Sequence, residues 1–289
     1  MSSLKSLLSD QDKYIELTSG LEQYYFLKTL LGEFDSEYSK ILKIFKNLQK
    51  SIFTKQNLLI SLTYNDTDEI KKQDFLDFIS TLYENPNSNQ LYPKKVRYTN
   101  HNAFIIPSKI NYVCKGLNLY EQGYKYDGSV WPILKLINLE YLWNEVRAKG
   151  GAYGCRANFD KHTGIFSVYS YRDPQLNNTL KVYSNIYLFL QSYQLNEENQ
   201  KNLIISSIGS MDQHLLPSQV GTFNLDLYLQ NISLQQRQST RDQIFQLSQA
   251  KINRFAKYLS NFGSIGIESI FTNSTQNLPK SRQYKAISL

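Results

Sequence analysis

The chain has 289 residues, 41% of them hydrophobic, including 22 Tyr and 15 Phe. It is long enough to bury a substantial core over one or two domains, and too apolar and aromatic to stay disordered. The net charge of +7 arises from 32 basic and 25 acidic residues, but Lys and Arg are scattered singly or in pairs, such as Lys71-Lys72 and Lys94-Lys95, without the clustering that marks a nucleic-acid binder.

The two cysteines, Cys114 and Cys155, exclude a disulfide framework and make a reducing compartment the default. No apolar run reaches the roughly 18 residues of a membrane span. The start, MSSLKSLLSDQDKYIEL, has no Arg and turns acidic by Asp10, so neither a transit peptide nor a secretory signal is expected, and the chain reads as soluble and intracellular.

Residues 4–50 carry apolar residues at three-and-four spacing, among them Leu21, Tyr24, Tyr25, Ile41, Ile44, Phe45 and Leu48. Interruptions at Gly32 and Asp35-Ser36 predict two helices. NLLISLTYN at 57–65 predicts a buried strand. Asp66 or Thr67 caps a following helix carrying Ile70, Phe75, Phe78, Ile79 and Leu82. ENPNSNQLYPKK at 84–95 predicts a linker.

NAFIIPSKINYVCKGLNL then predicts strands broken by Pro107. GSVWPILKLINLEYLWNEVRAK predicts a helix with Ser129 as cap and Pro132 in its first turn, ended by Gly150-Gly151. AYGCRANF and GIFSVYSY around DKHTG predict a hairpin closed by Gly164. RDPQLNNTLKVYSNIYLFLQSY predicts one helix with Asp173 as cap. Helices over about 196–210 and 221–262 follow, then a last strand at 263–273 and a polar tail. The class expected is α+β, a mixed or antiparallel sheet packed by helices.

Chemistry is sparse. His101, His162 and His214 are isolated, and neither H-E-x-x-H nor H-x-x-E-H occurs, so no metal ligands and no cofactor are assigned to this chain. Cys114 and Cys155 read as small buried hydrophobes rather than nucleophiles. There is no G-x-S-x-G elbow and no phosphate loop, so no catalytic residue is assigned. Arg147 and Tyr153 remain, on either side of Gly150-Gly151. The plain reading is a helix end with basic residues for its dipole, a glycine stop and a strand Tyr. The functional reading is two hydrogen-bond donors for a peptide carbonyl or a developing oxyanion.

LWNEVRAKGGAYG resembles the C-terminal half of presequence proteases, a branch of the pitrilysin-like inverzincin metallopeptidases. SGLEQYYFLKTL, NLLISLT, IIPSKINYVCKG, FDKHTGIFSVYSYRDP, IISSIGSMDQHLLP and GTFNLDLYLQNIS keep the family's order. The resemblance implies a pitrilysin/LuxS-type layer domain, with residues 1–90 as the end of a third such domain and 96–289 as the fourth. It implies that Arg147 and Tyr153 bind peptide, with Gly150 and Gly151 in the turn between them. It also implies a mitochondrial matrix location and a zinc supplied only by another half, because the zinc-bearing half is not in this sequence.

Three functions follow as expectations. One is a non-catalytic structural or accessory subunit of a larger assembly. Another is a separately encoded half that grips peptide beside a zinc-bearing partner. The last is a free module that captures peptide at a sheet edge. The expected partners are therefore other protein subunits and a peptide substrate, and no nucleic acid.

Overall fold

Strand-forming residues on both sides of Pro107 and of the glycine pair come together in one mixed sheet. The computed structural model describes residues 1–65, 72–84, 101–212 and 214–288. Its strands are β1 (His101–Ile105), β2 (Asn111–Asn118), β3 (Gly154–Phe159), β4 (Ile165–Asp173), β5 (Ile267–Thr272) and β6 (Tyr284–Ser288), in the spatial order β3-β4-β2-β5-β1-β6. β1 runs parallel to β5 and β6, while β2 runs antiparallel to β4 and β5 and β3 antiparallel to β4. The α+β class is as expected.

Contacts divide the described chain into two compact units. The first holds residues 1–23, 95–213 and 234–289, and the second 24–94 and 214–233. In the first unit, one sheet face packs on helices Val130–Leu136, Leu176–Ser184, Ile186–Ser192 and Gln249–Tyr258 through Val113, Leu117, Phe166, Val168, Tyr183 and Phe255. Those strand positions alternate along β2 and β4, as a sheet with one helix-covered face requires. Over the opposite face lies the N-terminal helix Ser2–Lys5. A Cβ on Gly116 would meet Leu8 at 3.0 Å and Leu4 at 3.2 Å, so the bare backbone there lets the chain's start lie flat on the sheet.

Several expected elements change. The N-terminal helical region breaks into Ser2–Lys5, Asp10–Ser19, Leu21–Gly32 and Phe34–Ile52, with Ser9 capping the second by accepting from Asp12 N at 3.0 Å. The expected helix over 172–193 is interrupted at Asn185, giving Leu176–Ser184 and Ile186–Ser192. The first begins at Leu176 with Gln175, not the expected Asp173, at its N-cap position; Asp173 lies just before it, accepting from Gln175 N at 2.8 Å and Thr179 Oγ1 at 2.7 Å. The polar tail contains β6, whose polar residues are compatible with an edge strand but whose pairing with β1 is not visible locally.

In the second unit the expected strand at 57–65 is absent. Leu59 is 51% exposed and Tyr64 61%, and the only sheet-like pairing nearby among the described residues is the isolated bridge Thr54–Tyr83. An apolar run becomes a strand only beside a partner strand, and the described part of this unit supplies none. The cap at Asp66 or Thr67, Ile70, and residues 85–95 of the linker lie outside the described residues; the helix itself is seen as Lys72–Ser80.

Ser129 does not cap its helix through its side chain. Asp127 takes the role, with Oδ1 accepting from Ser129 N at 2.8 Å and pairing with Lys251 Nζ at 3.2 Å. Burial opposes ionisation, but bonds from Ser129 and Lys251 outweigh it and hold the carboxyl below its usual range. Because the folded-state pKa is depressed, the stabilisation exists above the ordinary carboxylate range and fades as pH falls through the folded value. Asp127→Ala is expected to lower stability by about 1 kcal/mol at neutral pH, and its urea midpoint should converge on the wild type's in acid.

Candidate functional site

The helix expected over 129–149 changes character midway. Val130–Leu136 is α-helical, and Ile137–Ala148 is a π-helix. Such wide turns are rare and often sit at functional sites. Two bonds brace this stretch against the sheet edge. Asn138 Nδ2 donates to Ala157 O at 3.0 Å, and Asn138 Oδ1 accepts from Ala157 N at 2.7 Å. Cys155 Sγ also donates to Leu142 O at 3.2 Å. The edge of β3 is therefore already engaged at Ala157, which argues against capture of a peptide by strand addition at that point.

After the π-helix the chain reverses tightly. Gly151 N donates to Arg147 O at 2.9 Å, and Ala152 N to Val146 O at 3.1 Å. Gly151 has φ 77°, in the left-handed region. Gly150 is required for a different reason: a Cβ there would meet Val146 O at 2.5 Å and Glu145 O at 2.9 Å. The reversal carries the chain from Arg147 to Tyr153 and directly into β3.

Arg147 and Tyr153 line one cleft of ≈ 420 Å³ with Trp143, Gly154, Cys155, Arg156, Tyr169 and Tyr171. The Arg147 guanidinium carbon lies 4.0 Å from the centre of the Trp143 ring, a cation–π contact that holds the side chain against the ring. Tyr153 is 59% exposed and packs edge-on against Tyr171 at 5.4 Å between ring centres. Gly154 makes room for this contact, since a Cβ there would strike the Tyr171 ring at 2.3 Å.

One residue near the cleft is strained. The register of β2 against β4 shifts between Asn111 and Val113, and within the bulge Arg172 has φ 51°. Arginine seldom adopts the left-handed region. Its guanidinium carbon sits 5.3 Å from the Tyr153 ring centre. Trp143, Arg156, Tyr171 and Arg172 were not singled out from sequence. Trp143 lies four residues before Arg147 on a helix, a spacing that could have flagged it; the other three reach the site only through the β3–β4 pairing of Gly154 with Tyr171 and Arg156 with Tyr169.

The thiols do not offer a nucleophile. Burial pushes Cys155 up to about 11 despite nearby Arg147, and burial also raises Cys114. His101 is taken up in a polar network at β1 and β5, accepting from Glu268 N at 3.0 Å, while His162 and His214 are exposed. Among the described residues no group of three or more His, Cys, Asp or Glu side chains is placed to hold a metal ion. The described residues therefore offer no ligand set that would hold the zinc of a metallopeptidase. A larger cleft of ≈ 700 Å³, lined by Glu140, Tyr141, Glu145 and Phe189 among others, contains none of the expected site residues.

An exposed arginine and an exposed phenol, set by a helix end and a glycine reversal beside a sheet edge, thus share one cleft. The profile of the PreP C-terminal domain matches residues 101–269, more than half of the chain, and the chain belongs to that family. Presequence protease 1 of Arabidopsis thaliana, chloroplastic/mitochondrial, is 32% identical over 84% of this chain and 22% of its own length. Protein HypA of Clostridium perfringens is 31% identical over 90% of this chain and 26% of its own. This chain thus spans about a quarter of the length of these relatives. Among solved structures, a peptidase M16 inactive domain from Pseudomonas fluorescens aligns over 71% of this chain and 52% of that one, at 12% identity and a TM-score of 0.49. No described helix is long and apolar enough to cross a membrane.

Proposed function

We propose that this chain is the peptide-gripping, non-metal part of a presequence-protease-type peptidase. The observation that carries this is the convergence of Arg147 and Tyr153, both exposed, on one cleft. A guanidinium and a phenol so placed donate to a substrate carbonyl, and they strengthen their hold as negative charge develops on that oxygen. Gly150 and Gly151 set the reversal that brings the two together. Zinc, which activates water for hydrolysis, belongs on this reading to another part of the enzyme, in this chain's continuation or in a partner. The Arabidopsis relative, described as chloroplastic/mitochondrial, and the mitochondrial presequence protease of Saccharomyces cerevisiae, 27% identical over 85% of this chain, support the mitochondrial matrix as its place of action.

The test is peptide cleavage by this chain combined with the zinc-bearing portion of a presequence protease. Arg147→Ala and Tyr153→Phe are each expected to lower kcat/KM about tenfold or more, within the range for loss of one oxyanion donor. Full activity in both variants would sink the proposal.

A second reading, a structural or accessory subunit of a larger assembly, is favoured by the apolar surface of the second unit. Phe26 is 63% exposed, Leu31 78% and Phe45 63%, and apolar surface of this kind seeks a protein partner. Co-purification separates the two. A companion chain with H-x-x-E-H supports the peptidase reading, and a stoichiometric assembly without one supports the accessory reading.

A further inference from the structure

The cleft is cationic as well as aromatic. Arg147 and Arg156 line it, Arg172 stacks on Tyr153 at its border, and no Asp or Glu is among the lining residues. The protein's other paired cations, such as Lys149 with Glu145 at 2.6 Å and Arg241 with Asp212, have carboxylate partners. Among the described residues Arg147, Arg156 and Arg172 have none; two of them rest on ring faces instead. Three like charges on one surface repel one another unless an anion joins them. The strained backbone of Arg172 points the same way, since a residue held in a disfavoured conformation beside a site reflects a demand of that site.

From this arrangement we infer that the cleft selects a carboxylate on the bound peptide, either an acidic side chain or the peptide's own C-terminal carboxylate, with Arg156 and Arg172 as the selecting residues. The inference rests on the peptide-gripping reading of Arg147 and Tyr153 and adds a substrate preference to it. Arginine suits the task, because its planar donors meet a carboxylate two at a time and its face remains free to stack. The charge of this cleft is local, so it is compatible with a substrate that is basic elsewhere along its length.

The test is fluorescence anisotropy with the full chain and short extended peptides in matched pairs: Asp against Asn at a central position, and a free against an amidated C-terminus. Carboxylate-bearing peptides are expected to bind roughly three- to tenfold tighter than their neutral counterparts, as for a partly exposed charge-assisted contact. Arg156→Gln and Arg172→Gly should each reduce that ratio of affinities. Glycine accepts the positive φ without strain, so R172G should also keep a thermal midpoint no lower than the wild type's, which a purely structural role for Arg172 would not allow. Loss of the preference on amidation alone assigns it to the C-terminus, and loss on Asp→Asn alone to a side chain. Equal affinity for charged and neutral peptides, both weakened by Arg147→Ala, overturns the carboxylate preference and leaves the peptide grip standing. Binding of no peptide at all overturns both.

Discussion

Glu268→Gln is expected to lower the stability of the first unit by about 3–5 kcal/mol, the usual cost of breaking a buried ion pair by removing one partner. Glu268 on β5 lies directly opposite Lys115 on β2, with Oε1 3.0 Å from Lys115 Nζ and both side chains 2% exposed. Arg282 Nε lies 3.3 Å from the same oxygen, and the Tyr284 hydroxyl donates to Oε2. The amide in Gln would leave two buried or half-buried cations without their anion. Lys115→Met should cost less, because Glu268 then keeps Arg282 and Tyr284. The order of the two urea midpoints is the check, and a milder E268Q would refute the argument.

The pH dependence of E268Q adds a second check. Burial already pushes the Lys115 pKa down, with Glu268 holding it up, and loss of Glu268 depresses it further. A lysine with a depressed folded-state pKa destabilises the fold while it is charged, and the penalty eases as pH rises from the folded towards the unfolded value. The deficit of E268Q relative to wild type should therefore shrink between neutral and alkaline pH.

Gly150→Ala is expected to cost about 2–3 kcal/mol, at the upper end for forcing a methyl group into packed structure, and to impair the cleft as well. Its Cβ would sit 2.5 Å from Val146 O, and backbone at that place cannot swing aside like a side chain. Relief requires the reversal to open, which moves Tyr153 relative to Arg147. Gly151→Ala is the informative control. It keeps an unfavourable φ but meets only Pro174 Cγ at an ordinary 3.5 Å, so about 1 kcal/mol is expected. Denaturation midpoints should rank wild type, G151A, G150A, and peptide affinity should fall most in G150A. A G150A variant as stable as G151A would show that the turn is looser than its geometry indicates.

Much of this was legible in the chain itself because it is local. The β3–β4 hairpin, the Gly150-Gly151 stop and the nearness of Arg147 to Tyr153 across it depend on periodicity, turn chemistry and spacing within a short stretch. What failed was non-local. The apolar run at 57–65 satisfied every local requirement of a strand and forms none, since a strand exists only with a neighbour to bond. Residues 284–288 read as part of a polar tail and form β6, because β1 offers an edge.

The same division runs through the site. Sequence by itself determined the donors and the glycines between them. Only the tertiary structure decided that Arg156 and Arg172 join the cleft and that Lys115 and Glu268 meet under the helices, because cross-strand register brings together residues that no local spacing relates.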